Sequence, residues 1–291
     1  MIMTMKTPQK IISLLAGSAL FAASFLNAAT TDPVGYVSKS LSAGGYTLGA
    51  TFVKAATFQG SVSSVSGDWV DISSNLELSE PHYLIPASGV SAGYAVSIVE
   101  VNGTQVRLAE ELILAIGDTV VIRPHFLIKD LGEDFPNGFA VALYNSDGSV
   151  TEAFYRDNFL GKEWIGEFET PIFPGEGFVV NSPGPFELLF SGTVNSRTVK
   201  YSVNAGVTNI VAGLAPMAQS ALLLENLAPG TGVANYPQGG NFSNTTEVVR
   251  GPAFLGGVWN GDLSTVEMGN GFATVVVPSE DTAIELPSQL N

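Results

Sequence analysis

Apolar and polar residues alternate along several short stretches of the chain. Phe139, Val141 and Leu143 fall on one side of an extended segment, and residues 198–203 alternate in the same way. A period of two is typical of a strand with one buried face. Long stretches with a 3.6-residue apolar period are missing, so the helices that we expect are short, within 126–131 and 218–226.

Turn residues separate these stretches. Asn102-Gly103 joins two strand-like runs, and Asn-Gly accepts the positive φ angles of a type I′ hairpin turn. The segment 145–148, Asn-Ser-Asp-Gly, lies between two such runs in the same way. With 32 glycines and 16 prolines, the pattern predicts an all-β fold of multi-stranded sandwich or barrel-like units with a few short helices.

A tryptophan-led pattern occurs twice in the second half of the chain. Trp164 is followed at 175–178 by Gly-x-Gly-Phe, and Trp259 is followed by the same motif at 269–272. Each copy is typical of a tryptophan-bearing strand, a turn, and a glycine that lets the chain bend into a phenylalanine-led strand. The alternative is a coincidence of composition.

A second, shorter repeat connects the two halves of the chain. Residues 40–44, Ser-Leu-Ser-Ala-Gly, match residues 202–206, Ser-Val-Asn-Ala-Gly. An acidic segment with glycine and proline near 129–136 is a plausible boundary. We therefore predict an N-terminal β domain over 30–131 and a C-terminal β domain over 132–291 with two related Trp/Gly-x-Gly-Phe units.

The first 29 residues have the order of a secretory signal peptide. Lys6 and Lys10 give a basic start, Ile11–Leu26 is an almost uninterrupted run of apolar or small residues, and two alanines follow. An uncleaved membrane anchor is the alternative, but the run is short for a span and no basic residue follows it closely. We predict an exported protein of the periplasm, the cell surface or the extracellular space.

Charge and cysteine usage exclude several classes of function. The chain has 12 basic and 27 acidic residues and a net charge of −15, without a basic stripe, which opposes binding to nucleic acid. An acidic surface suits solubility or a cationic partner such as calcium. Because the chain has no cysteine, thiol catalysis, zinc-thiolate sites and a lipid-modified cysteine are excluded.

One motif resembles the nucleophile elbow of a serine hydrolase. Residues 89–93, Gly-Val-Ser-Ala-Gly, would make Ser91 the nucleophile and His125 the base. The elbow needs a helix after the serine, whereas the sequence after Gly93 is typical of a strand. A glycine-bearing β turn is therefore the preferred interpretation. Glu110, Glu111 and Asp118 lie between the serine and the histidine in the required order.

Candidate metal ligands are sparse. His82 and His125 would need acids to complete a zinc site, and histidines in separate segments are more often ordinary strand or loop residues. Residues 145–152 partly imitate a calcium loop, but position 156, where such a loop has glutamate, is Arg156. A second weak calcium candidate is the acidic cluster Asp130, Glu133 and Asp134. We assign no catalytic, cofactor-binding or metal-binding residue and predict no cofactor.

Three tryptophans, Trp69, Trp164 and Trp259, would form a sugar-stacking platform if they were exposed. Flanking apolar alternation favours a place in the core instead. Paired carboxylates could hydrolyse glycosides, but with 27 acids the sequence alone selects no pair.

Several turn and strand signatures follow one another in an order that resembles a known family. They are residues 31–36, 58–62, 89–94, 116–126 and 174–178. This order is similar to that of an uncharacterised family of secreted, β-rich proteins from verrucomicrobial and related bacteria, over most of the chain after the signal. The resemblance implies secretion and a β fold, and it implies no catalytic or binding residue.

Together these observations favour an exported, non-enzymatic protein of the cell envelope or the extracellular space. A glycan- or calcium-binding module is the alternative, with a glycan or another cell-surface molecule as the partner. A serine or carboxylate hydrolase is a third class. Exposure of Trp164 and Trp259 on one face would favour the glycan-binding module, and their burial would favour the structural role.

Overall fold

The structure, a computed structural model, describes residues 33–159, 161–235 and 245–288. The predicted signal peptide over 1–29 lies outside these residues. Strands make up 50% of the structure and helices 6%, and one of the several sheets curls into a half-barrel, so the predicted all-β fold is confirmed. Within the described ranges, no helix is long and apolar enough to cross a membrane.

The described chain runs through short strands joined by turns and by four 3-10 helices. The first ten strands are β1 Val34–Leu41, β2 Gly44–Gly49, β3 Phe58–Ser61, β4 Ser64–Ser66, β5 Trp69–Asp71, β6 His82–Pro86, β7 Val96–Asn102, β8 Gln105–Leu108, β9 Thr119–Pro124 and β10 Phe126–Leu127. The next six are β11 Ala140–Tyr144, β12 Val150–Asn158, β13 Gly161–Gly166, β14 Pro171–Ile172, β15 Gly177–Ser182 and β16 Phe186–Thr193.

The remaining strands are β17 Val199–Val203, β18 Asn209–Ala212, β19 Ala218–Ser220, β20 Gly232–Asn235, β21 Thr246–Arg250, β22 Trp259–Asn260, β23 Glu267–Gly269, β24 Ala273–Val277 and β25 Thr282–Leu286. The 3-10 helices are η1 Ile128–Leu131, η2 Ala221–Leu224, η3 Ala253–Leu255 and η4 Leu263–Thr265. The two short helices predicted from sequence are each a strand of two or three residues followed by one 3-10 turn, at β10–η1 and β19–η2.

Two groups of strands have the same topology. One five-stranded sheet has the order β13-β12-β11-β15-β2, and a second has the order β22-β21-β20-β24-β18. Outside these sheets, β1 pairs with β16 as β17 pairs with β25, and β10 pairs with β14 as β19 pairs with β23. Every pairing in both groups is antiparallel. The chain therefore contains two copies of one β unit, which we name the first repeat (34–49 with 126–193) and the second repeat (199–286).

A seven-stranded sheet of order β3-β9-β6-β7-β8-β5-β4 separates the two parts of the first repeat. We name it the inserted sheet. It lies between β2 and β10, at the position where the second repeat connects β18 to β19 through residues 213–217 only. A domain insertion at a loop leaves the pairing of the flanking strands intact, because the loop ends are close together.

Each part has its own core, and the inserted sheet shares one with the second repeat. Phe139, Phe178 and Phe190 lie in the core of the first repeat. In β6, alternate residues face opposite sides: Leu84 packs inside the inserted sheet, and Tyr83 packs into the core of the second repeat. Burial on both faces explains why β6 is buried throughout.

The strand pairing crosses the boundary predicted near residue 131. β1 and β2, which belong to the predicted domain over 30–131, pair with β16 and β15. By its contacts the chain from Pro33 onward groups as one compact unit. The related units also begin earlier than the predicted domain over 132–291, because the first of them includes β1 and β2. The similarity of residues 40–44 to 202–206 marks the same turn in both repeats.

Two local predictions can be compared directly with the strands. The alternation in Phe139–Tyr144 is confirmed: Phe139, Val141 and Leu143 are buried. The hairpin at Asn102-Gly103 is also present, but Asn102 pairs with Gln105, so Gly103 and Thr104 form the loop. Only Gly103 of these two has a positive φ angle, at 62°, so the turn is not the type I′ turn that the sequence predicted.

Candidate functional site: a cleft between the two repeats

One face of each five-stranded sheet carries small residues. In the first repeat, cross-strand partners place Thr47 beside Val179 and Val179 beside Ala142. In the second repeat, Ile210 lies beside Val275 and Val275 beside Ala234. Partners in an antiparallel sheet point to the same side, so each row forms one continuous face. The two rows occupy equivalent positions in the two repeats.

The two faces touch where their first strands meet. A methyl group added at Gly49 would come within 2.0 Å of the Ala212 Cβ. The Gly49 N–H donates to the Gly271 carbonyl at 3.1 Å, and the Ala212 N–H donates to the Gly175 carbonyl at 2.8 Å. Gly49 is the equivalent of Ala212, and Gly175 of Gly271. The contact is therefore reciprocal, as in an isologous interface between two copies of one subunit.

Away from this contact the two faces enclose an open cleft of about 660 Å³. Both repeats line it. Thr47, Tyr144 and Val179 come from the first repeat, and Ile210, Val275 and Glu247 come from the second. The cleft extends further over the sheet of the second repeat. Gly232 lies in this wall, and a Cβ added at Gly232 would meet no atom within 4 Å.

The polar groups of the cleft differ in what they already bind. The Tyr46 hydroxyl accepts a hydrogen bond from the Ser42 N–H at 2.7 Å, and Thr47 Oγ1 donates to the Ala273 carbonyl at 3.0 Å. These two groups hold the wall together. Glu247 is exposed and brings the one carboxylate among the lining residues of the cleft. The site is thus a mainly aliphatic wall with an acid at its edge.

A half-buried carboxyl group lies beside the contact between the repeats. Glu176 forms an isolated bridge with Val211, and its carboxylate accepts a hydrogen bond from the Phe173 N–H at 2.8 Å. Burial raises the pKa of Glu176 to about 7. The equivalent position in the second repeat is Phe272, which bridges to Leu48. Glu176 is therefore protonated in part near neutral pH.

The structure does not bring Ser91 and His125 together by any hydrogen bond among the described residues. Ser91 Oγ accepts from the Ile113 N–H at 2.9 Å, and His125 Nε2 lies 3.0 Å from Ser97 Oγ. Ser91 lies in a turn that leads to β7, which agrees with the turn interpretation of the motif. Asp118 accepts from the Ala115 N–H at 2.8 Å and closes a neighbouring turn.

Both histidines are buried within the fold. His125 packs edge-on against Phe173, with ring centroids 4.7 Å apart, and its buried Nδ1 has no hydrogen-bond partner among the described residues. Burial, together with the nearby His82 and Lys54, lowers the pKa of His125 to about 4. His82 Nδ1 lies 2.6 Å from the Glu80 carbonyl. Both rings thus fill space between β strands.

Aspartates of the acidic segments proposed for calcium form ion pairs and hydrogen bonds with other groups of the protein. Asp130 and Asp134 form ion pairs with Lys54 at 2.9 Å and with Lys162 at 2.7 Å. Asp147 accepts from the Ser149 N–H at 2.8 Å, and such hydrogen bonds lower the pKa of Asp147. In the parts of the chain that the structure describes, no three or more His, Asp or Glu side chains are grouped so as to hold a metal ion.

Trp164 and Trp259 occupy equivalent places. Each lies on an outer strand of its five-stranded sheet, half-buried against the core of its own repeat. The Trp164 indole N–H donates to the Gly132 carbonyl, and the Trp259 indole N–H donates to the Glu225 carbonyl. Gly132 and Glu225 directly follow η1 and η2. Both indole N–H groups thus donate to backbone carbonyls, which favours a structural role for these tryptophans over the sugar-stacking platform.

The phenylalanines of the same motif are not equivalent. Phe178 lies inside β15 opposite Leu48 and is fully buried. Phe272 comes before β24 and lies beneath the Lys39 ammonium group, 3.6 Å from its ring centroid. Trp259 packs in the second repeat, whereas Phe272 packs against the core of the first. Phe272 therefore does not pack with the tryptophan of its own repeat, because it crosses to the core of the other repeat.

Sequence reasoning missed the residues of the cleft and one further repeat. On β20, Gly232 and Ala234 alternate with Val233 and Asn235, a pattern that shows no sign of a binding site. Phe159-Leu160-Gly161 and Phe254-Leu255-Gly256 precede Trp164 and Trp259 at the same spacing, so an alignment on the tryptophans would have found them. The chain matches no protein-family model, no curated protein and no solved structure.

Proposed function

We propose that this is an exported protein of the cell envelope or the extracellular space that works by binding rather than by catalysis. Its ligand is a small, mainly apolar molecule held in the cleft between the two repeats. The observation that carries this proposal is the cleft itself, an open space of about 660 Å³ between two aliphatic sheet faces. Volumes of roughly 300–1,000 Å³ are typical of small-molecule sites.

The walls of the cleft are suited to binding without rearrangement. Each wall is a paired antiparallel sheet, and the two sheets are joined by reciprocal hydrogen bonds at Gly49 and Ala212. A preformed site loses little conformational entropy when a ligand enters. Glu247 at the edge would orient a ligand that carries a cationic or hydrogen-donating group on an apolar body.

Export is supported by the sequence rather than by the fold. The basic start, the apolar run at Ile11–Leu26 and the small residues that follow have the order of a signal peptide. The resemblance to secreted verrucomicrobial proteins points the same way. A non-enzymatic role stays a prediction, as does binding of calcium or a glycan.

The binding proposal is tested by filling the cleft. The probe is N-phenyl-1-naphthylamine, a neutral apolar dye whose fluorescence rises in an apolar site. We expect saturable binding to the wild-type protein and a loss of affinity of about tenfold or more in Gly232→Phe, which places a ring in space where the ligand would lie.

Gly184→Phe is the matched control, because a Cβ at Gly184 also meets no atom within 4 Å and this residue does not line the cleft. The control should bind the dye like the wild type. Equal affinity in all three proteins would place the dye outside the cleft and contradict the proposal.

A further inference from the structure

A second surface feature occurs in both repeats. The hairpin between β12 and β13 exposes Phe159, and the equivalent hairpin between β21 and β22 exposes Phe254. Phe159 is 95% exposed and Phe254 86%. Both phenylalanines start the sequence Phe-Leu-Gly and stand five residues before the tryptophan of their repeat. We name the two hairpin ends the first tip and the second tip.

The second tip has a defined conformation. Its one-turn helix η3 is followed by Gly256, whose φ of 91° reverses the chain, and Gly257 has a φ of 61°. The Gly256 and Gly257 N–H groups donate to the carbonyls of Ala253 and Pro252. Arg250 Nε donates to the Gly257 carbonyl at 2.8 Å. The loop therefore satisfies much of its backbone internally while its apolar side chains point outward.

Composition makes this tip unusual for a surface loop of an acidic protein. Residues 251–259 contain no charged side chain, and Leu255 and Val258 are each 70% exposed. Large exposed apolar groups that lie together mark a contact site for a partner or a membrane. Here they stand on a narrow, convex loop instead of a flat face or a groove.

We propose that the second tip inserts into the surface of a zwitterionic lipid bilayer. A convex, uncharged loop with internally bonded N–H groups suits the boundary between headgroups and acyl chains, where unbonded backbone groups are costly. The net charge of −15 opposes adsorption to anionic lipid, so the apolar side chains of the second tip supply the attraction.

The test is flotation of the full-length protein with phosphatidylcholine vesicles. The variant is Phe254→Ser with Leu255→Ser, which removes two exposed side chains and leaves the core untouched. We expect the lipid partition coefficient of this variant to fall about tenfold or more. The control is Ile116→Ser, a similarly exposed apolar residue, at 75% exposure, in the turn that precedes β9. It should partition like the wild type.

All three proteins share residues 1–29, so their difference isolates the second tip from the apolar N-terminal segment. Partition into vesicles rich in phosphatidylglycerol should be weaker and should recover with added salt. Equal partition of the wild type and the double variant would overturn the proposal, and so would a preference for the anionic vesicles. Self-association of the wild type without lipid, lost in the double variant, would also overturn it, because the second tip would then join copies of the chain.

Discussion

Gly49 and Ala212 mark the place where the two repeats are in closest contact. A Cβ at Gly49 would lie 2.0 Å from the Ala212 Cβ, a distance that no packing arrangement accommodates, and 3.3 Å from the Ala212 Cα. The equivalent positions differ by one methyl group, and one methyl group is all that the interface has room for. Glycine is required here by the neighbour across the interface, since its own φ angle is ordinary.

Gly49→Ala is therefore expected to lower the free energy of unfolding by about 3 kcal/mol, the upper range for forcing extra volume into a packed interior. Gly45→Ala, on the same face of β2, is the control, because its Cβ would meet only the Val180 carbonyl at 3.9 Å. Urea denaturation measures both. Adding Ala212→Gly to Gly49→Ala should restore part of the loss. Stability equal to that of Gly45→Ala would show that the repeats do not meet as described.

The raised pKa of Glu176 predicts that the free energy of unfolding depends on pH. Burial raises its pKa from 4.5 to about 7 in the folded protein, so between these values the unfolded chain loses a proton that the folded chain keeps. The contribution of Glu176 to the free energy of unfolding is fully present below about pH 4.5 and is lost as the pH rises through 7. The loss is at most about 3 kcal/mol. Glu176→Gln cannot ionise and should remove this loss.

The measurement is the urea midpoint of Glu176→Gln relative to wild type at about pH 5 and about pH 8. His125 has a lowered pKa and contributes the opposite slope, which cancels in this difference. The gain from Glu176→Gln should be clearly larger at the higher pH. The same gain at both values would mean that the carboxylate is ionised in the folded state.

At the scale of elements, the sequence predicted those strands whose residues alternate strongly. β11 was visible because Phe139, Val141 and Leu143 alternate with smaller residues, and the hairpin of β7 and β8 was marked by Asn102-Gly103. β10, β14 and β22 have two residues each, too few to show any period. Their positions follow from the tertiary fold, which pairs them with neighbours distant in the chain.

The relation between the first and the second repeat was only partly visible in the sequence, because it also depends on the tertiary fold. Trp164 and Trp259 mark equivalent strands. In both repeats the indole N–H donates to the carbonyl of the residue that follows a 3-10 helix. The phenylalanine motif misleads, since Phe272 aligns structurally with Glu176 and not with Phe178. The inserted sheet separates β2 from β10 and hides the correspondence of the first repeat with the second. The cleft depends on both repeats, so no local pattern could reveal it.

At the scale of the whole molecule, the three parts are joined by more than the chain. Tyr83, Ile85 and Val121 of the inserted sheet belong to the core of the second repeat. Lys200 of β17 donates its N–H to the Gly93 carbonyl at 2.8 Å. A shared core makes the parts unfold together, because opening one exposes apolar surface of the other.

We therefore predict one cooperative unfolding transition. Trp69 lies in the inserted sheet, Trp164 in the first repeat and Trp259 in the second, so each tryptophan reports on one part. Three variants, each with two tryptophans replaced by phenylalanine, should give a fluorescence midpoint in urea equal to the circular dichroism midpoint of the same variant. Comparison within each variant removes the effect of the substitutions themselves on stability. A Trp69 signal that changes at lower urea than circular dichroism would mean that the inserted sheet unfolds alone. A boundary near residue 131 would then separate two independent domains after all.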